Sequence, residues 1–124
     1  MKVAVVGSRN LNINIAEYLD CEVVTELVSG GARGIDSLAE EYARRKGIPR
    51  KIFYPDYDAY GRIAPLMRNR EIVAYADLVI ALWDGCSRGT KNAIDHARQL
   101  KKPLKIFIFP GNDAHSLFSE PIVM

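Results

Sequence analysis

Cysteine is nearly absent from the chain: Cys21 and Cys86 are its only two thiols in 124 residues. Two cysteines build neither a disulfide framework nor a metal-binding set, and no His/Cys spacing of zinc-site type occurs. No metal or cofactor is expected. Histidine is as scarce, with His96 and His115, and neither lies near Cys86 to activate it. A reactive thiol is therefore not the favoured reading, and no catalytic residue is assigned. No long apolar run is present, which argues against a membrane span, and no N-terminal signal pattern precedes the first strand. The expected setting is the cytoplasm. Charge of one sign is not in excess either: 17 Lys and Arg face 15 Asp and Glu, for a net charge of +2. That balance speaks against nucleic acid or a membrane surface as partner. Repeats, low-complexity tracts and linkers are missing too. What is there, 48% apolar and 26% charged residues, suits one globular domain with a real core.

The pattern along the chain alternates strand and helix five times. Lys2 to Val6 is a short apolar run ending at Gly7, of the kind buried in parallel sheets. Leu11, Ile15, Tyr18 and Leu19 fall at helical spacing. A second strand over 22–28 leads into a helix that ends near Gly47, with Pro49 beyond it. Ile52 to Tyr54 read as a third strand, and residues 55–61, with Tyr54, Tyr57 and Tyr60 among aspartates, as an irregular loop. A helix from about Arg62 to Tyr75 carries Pro65 in its first turn. Asp77 to Trp83 is a fourth strand, followed by a helix with Ala93, Ile94, Ala97 and Leu100 on one face, and Leu104 to Phe109 a fifth. The expected fold is α/β, a three-layer Rossmann-like domain over 1–110. Its five-stranded, mainly parallel sheet carries helices on both faces. Residues 111–124 are expected to be a C-terminal tail.

Three strands end in glycine-containing loops, and in such sheets ligands lie at the carboxyl ends of the strands. The richest is Ser29-Gly30-Gly31-Ala32-Arg33-Gly34-Ile35-Asp36. Its glycines permit positive φ and close approach of a ligand to bare backbone, and the helix start behind it favours anions. Arg33 can donate to phosphate in bidentate fashion, and Asp36 can cap the helix or accept from a ribose hydroxyl. Gly7-Ser8-Arg9-Asn10 and Asp84-Gly85-Cys86-Ser87-Arg88-Gly89-Thr90 are the other two loops. Ser87 and Thr90 suit either a helix cap or an anion at the helix start, and Arg88 becomes a clamp if that anion is phosphate.

Inside the fourth helix, Arg68-Asn69-Arg70 interrupts an inner stripe that includes Leu66, Val73 and Ala76. Asn69 should face inward with them, where a buried amide needs partners. A structural bond to a loop backbone ranks slightly ahead of direct ligand contact for it. Trp83 fits the edge of the core better than a base-stacking role, and the tyrosines of 54–60 suit either stacking or an oligomer contact.

Together, four blocks resemble the SLOG superfamily: Gly7-Ser8-Arg9, Ser29 to Asp36, Arg68-Asn69-Arg70-Glu71, and Trp83-Asp84-Gly85 followed by Ser87-Arg88-Gly89-Thr90. That superfamily includes the DNA-processing protein A domain and the LOG-type cytokinin-activating hydrolases, and the best resemblance is to its YspA-like branch. It implies a nucleotide-derived small ligand over the strand ends and a homodimer or larger homo-oligomer. It also implies ligand contacts by Gly7, Ser8, Arg9, Gly30, Gly31, Arg33, Gly34 and Asp36. Arg68, Asn69, Asp84, Gly85, Ser87, Arg88, Gly89 and Thr90 complete that set. The hydrolases carry a catalytic glutamate three residues after a Gly-Thr pair; here Gly89-Thr90 survives, but Ala93 stands at the glutamate position. The expected function is binding of a nucleotide-derived ligand. The alternatives are a nucleotide N-glycosidase using Asp36, Asp84 or Asp95, and single-stranded DNA binding.

Overall fold

A computed structural model describes residues 1–110 and 122–123. Six strands form one sheet: β1 (Lys2–Gly7), β2 (Glu26–Ser29), β3 (Arg50–Ile52), β4 (Leu78–Trp83), β5 (Leu104–Ile108) and β6 (Ile122–Val123). Their spatial order is β3-β2-β1-β4-β5-β6. The first five are parallel, as expected from their apolar runs. β6 pairs antiparallel with β5, with Phe107 opposite Val123. The expected tail thus contributes a sixth strand, and its other residues, 111–121 and 124, lie outside the described residues. Among the described residues no helix is long and apolar enough to cross a membrane.

The alternation of side chains along each strand builds two cores, because successive residues point to opposite faces. Val3 and Val5 of β1, Leu27 of β2 and Ile80 and Leu82 of β4 enter one core. Against them packs α2 (Ile35–Lys46), through Ile35, Ala39, Tyr42 and Ala43. Ala4 and Val6, Val28, Val79 and Ala81 enter the other. That face is covered by α4 (Ala64–Tyr75), through Ile72 and Val73, and by α5 (Arg88–Gln99), through Ala93, Ile94 and Ala97. The small alanines on this face leave room for two helices to lie close to the sheet. Helices on both faces make the three-layer Rossmann-like fold.

Three local expectations need correction. The first helix shrinks to α1 (Ala16–Leu19), since Leu11 and Ile15 enter the core from a loop instead. Residues 57–60 form a short helix, α3 (Tyr57–Tyr60), because the Asp56 carboxylate accepts from the Ala59 amide at 3.0 Å. A 3-10 turn, Gly61–Ile63, joins it to α4. Leu66 does not belong to the buried stripe of α4 but is exposed.

From β1 the chain moves first toward β2 and β3, then returns to lay β4 on the opposite side of β1. That reversal opens a crevice between the loops that leave β1 and β4, the usual ligand position in doubly wound sheets.

Candidate functional site at the carboxyl edge of the sheet

A cavity of about 340 Å³ occupies this crevice, at the small end of the range for ligand pockets. Ser8 is where its loops meet. The Ser8 amide donates to the Leu82 carbonyl at 3.2 Å, and its own carbonyl accepts from the Ile35 amide at 3.3 Å. Its hydroxyl accepts from the Asp84 amide at 3.0 Å and shares a hydrogen bond with the Ser87 hydroxyl at 2.9 Å. Buried to 1% exposure, Ser8 ties β1, α2 and the β4–α5 loop into one rim. Gly7 permits this closeness, because a Cβ there would overlap Ile35 and the Leu82 carbonyl.

The β4–α5 loop is organised by Asp84. One carboxylate oxygen accepts from the amides of Cys86 and Ser87, both at 2.8 Å, and the other from the Ser87 hydroxyl at 3.1 Å. Burial alone would raise its pKa, but these donors outweigh burial and hold it below the usual carboxylate range. Ser87 spends its hydroxyl on Asp84 and Ser8, and it makes no side-chain cap on α5. Gly89 and Thr90, in the first turn of α5, line the cavity, so the positive end of this helix faces it. Trp83 is half-buried against the second core and donates its indole N–H to the Ser87 carbonyl at 3.0 Å. Gly85 takes φ +85° at the turn, with Cys86 and Arg88 exposed.

The β2–α2 loop and α4 meet at a buried cation. Arg68 donates Nε to the Asn69 side-chain oxygen at 3.1 Å and an amino group to the Gly30 carbonyl. A Cβ on Gly30 would overlap that guanidinium, which gives Gly30 its reason to be glycine. Asn69 in turn donates to the Gly89 carbonyl at 3.1 Å and to Asn92 at 3.2 Å. The expected inward amide therefore finds loop backbone as its partner, and it links the α4 and α5 walls.

Asp36 is the outlier. Only 7% exposed, its carboxylate accepts from the Ala32 amide at 3.1 Å. Among the described residues no side chain donates to it. Burial pushes its pKa up to about 6, and the nearby Glu40 carboxylate adds to the rise. The Ala32 and Gly30 amides and the charge of Arg68 pull the other way without cancelling it. It does not cap α2, whose N-cap is Gly34 at φ +73°.

Of the expected contact residues, Gly7, Ser8, Arg9 and Asp36 line the cavity, as do Arg68 and Asn69 on α4. Asp84, Ser87, Gly89 and Thr90 complete that group. Gly30, Gly31, Arg33, Gly34, Gly85 and Arg88 sit outside the lining. Gly31 faces the Tyr54 ring, and Gly34 the backbone of Arg9. Val6, Pro65 and Ile72 also line the cavity; their residue types read as core, and nothing in the sequence set them apart. Of the three candidate carboxylates, Asp95 pairs with Lys91 at 2.9 Å on the outer face of α5, and Asp84 is committed to its loop. Ala93, at the position of the hydrolases' glutamate, is buried in the second core and does not reach the cavity.

No family model and no curated protein matches the chain. Two solved structures share its fold. DNA processing protein A from Streptococcus pneumoniae is 23% identical at a TM-score of 0.67, over 89% of this chain and 50% of that one. DNA processing protein A from Helicobacter pylori, described for its single-stranded DNA binding mode, is 25% identical at a TM-score of 0.66, over 97% of this chain and 68% of that one. The chain thus spans about half the length of the first. The expectation from net charge, that nucleic acid is not a partner, is overturned by a neighbour of this fold that takes single-stranded DNA. Net charge averages the whole surface, whereas Arg9 and Arg33 on two loops and Arg88 at the start of α5 are exposed at one edge. By fold, the chain is similar to DNA processing protein A.

Proposed function

We propose that the chain binds single-stranded nucleic acid along the carboxyl edge of its sheet. The observation that carries this reading is one exposed arginine at each of three strand ends on this edge: Arg9 after β1, Arg33 after β2 and Arg88 at the start of α5 after β4. An exposed guanidinium can pair with a phosphate of a strand in bidentate fashion, and each such contact adds to affinity. Exposed Tyr54, Tyr57 and Tyr60, following β3 at the same edge, supply faces on which bases stack. The likeness to the Helicobacter pylori protein supports the choice of a strand over a free nucleotide. Within the superfamily, the four sequence blocks support the YspA-like branch, and a cytoplasmic location belongs to the same proposal.

The test is fluorescence anisotropy with labelled oligonucleotides across a salt series. Three phosphate contacts on a single strand give a slope of log affinity against log salt of about −2. The triple replacement of Arg9, Arg33 and Arg88 by alanine flattens that slope and removes most of the affinity. Absence of binding at low salt, or binding untouched by the triple replacement, overturns the reading.

A further inference from the structure

We propose that Asp36 reads the base of the bound strand, accepting hydrogen bonds from the N1–H and exocyclic amine of a guanine turned into the cavity. This rests on the strand-binding reading above and adds to it a base preference.

The Asp36 carboxylate is in the wrong place for phosphate. Asp36 lines the same cavity as Arg9 and the start of α5, yet a buried anion repels a phosphate placed against it. It is 7% exposed, forms no ion pair, and has no side-chain donor among the described residues. Arg68 favours its ionised form by charge but donates no hydrogen bond to it, its bonds going to Gly30 and Asn69. A buried carboxylate held by so few donors costs stability unless a ligand completes its shell.

The cavity's other lining points to a base. Val6, Pro65 and Ile72 contribute apolar surface beside Asp36, which phosphate does not need and the flat face of a base does. A volume of about 340 Å³ accommodates a base better than a bare anion.

Complementarity then selects among bases. An ionised carboxylate only accepts. Guanine presents two adjacent donors on its pairing edge, whereas adenine and cytosine present one donor beside an acceptor, and thymine one donor between two carbonyls. Guanine alone satisfies both oxygens. A protonated Asp36 offers one donor and one acceptor, which suits adenine or cytosine instead. The groups that set its charge are Arg68 from α4, Glu40 from its own helix, and the Ala32 and Gly30 amides. Arg9 from the β1 loop and Tyr57 from α3 act on Arg68, and Asp84 shares the cavity from the β4 side.

The experiment measures anisotropy of thymine oligonucleotides carrying a single central guanine, inosine, adenine or cytosine, between pH 5 and 8. Expected at pH 8 is about tenfold tighter binding of the guanine strand than of all-thymine, the worth of one bidentate contact. Inosine, which keeps N1–H and lacks the amine, falls between them. The guanine advantage shrinks toward pH 5. Asp36→Asn, which offers one donor and one acceptor, loses the guanine preference. Binding of strands with no guanine advantage, inosine equal to guanine, or an advantage that survives Asp36→Asn overturns this inference and leaves strand binding intact. Binding of no strand at all overturns both.

Discussion

Arg68 and Gly30 stand 38 residues apart and are joined by a hydrogen bond from the guanidinium of one to the carbonyl of the other. The bond fixes the glycine-rich loop after β2 against α4. Through Asn69 the same contact reaches the Gly89 carbonyl at the start of α5, so one buried chain of donors holds two walls of the cavity in register.

Arg68→Met keeps the aliphatic stem and removes the charged head. Two carbonyl oxygens then lose their donor in a buried setting, and the expected destabilisation is about 2–3 kcal/mol. Urea unfolding with an unchanged slope checks it; a midpoint equal to that of the parent would mean that the bond holds nothing.

At Gly34, φ is +73° and the backbone of Arg9 lies against the position of a Cβ. Gly34→Ala is expected to destabilise by roughly 2 kcal/mol or more, since a sparsely populated positive-φ conformation costs a non-glycine residue about 1–3 kcal/mol. Thermal unfolding measures this. An alanine variant as stable as the parent would show that the two loops separate without cost.

Gly89→Ala separates stability from binding. Nothing lies within 4 Å of the position a Cβ would take, and alanine in a helix favours the fold by about 0.5–1 kcal/mol over glycine. The expected variant melts slightly higher and binds oligonucleotides less well, because the methyl group intrudes where a strand approaches the helix start. Unchanged affinity would place the strand elsewhere.

Asp36 makes stability depend on pH in an unusual direction. Its pKa in the fold, about 6, exceeds the ordinary 3.8, so folding favours the protonated form. That contribution is complete below about pH 4 and is lost as pH rises through 6. The separation corresponds to about 3 kcal/mol at most. Asp36→Asn is expected to raise the melting temperature at pH 7 and to flatten the profile between pH 4 and 6. A parent protein whose stability does not fall over that interval would contradict the assignment. Asp84 works in the opposite sense: its lowered pKa stabilises the fold at neutral pH and is lost only in acid.

The sequence by itself determined the layers and the edge at which the site forms. Apolar strands alternating with helical periods have few ways to bury their faces, and glycine loops following β1, β2 and β4 must share the carboxyl end of a parallel sheet. Local chemistry also placed Pro65 in the first turn of α4 and Gly47 at the end of α2, in the left-handed conformation. Tertiary structure alone decided what each polar residue does at that edge. Ser8, Ser87 and Asp84 carry the residue types of ligand contacts, yet their hydrogen bonds go mainly to one another. That outcome depends on loops 76 and 79 residues apart coming within 3.0 Å. Asp36 reads in the chain as a helix cap; its burial beside Arg68, without an ion pair to it, follows from α2 and α4 packing on opposite faces of the sheet. Distances between such elements are set by how side chains fill two cores, and no local pattern records them.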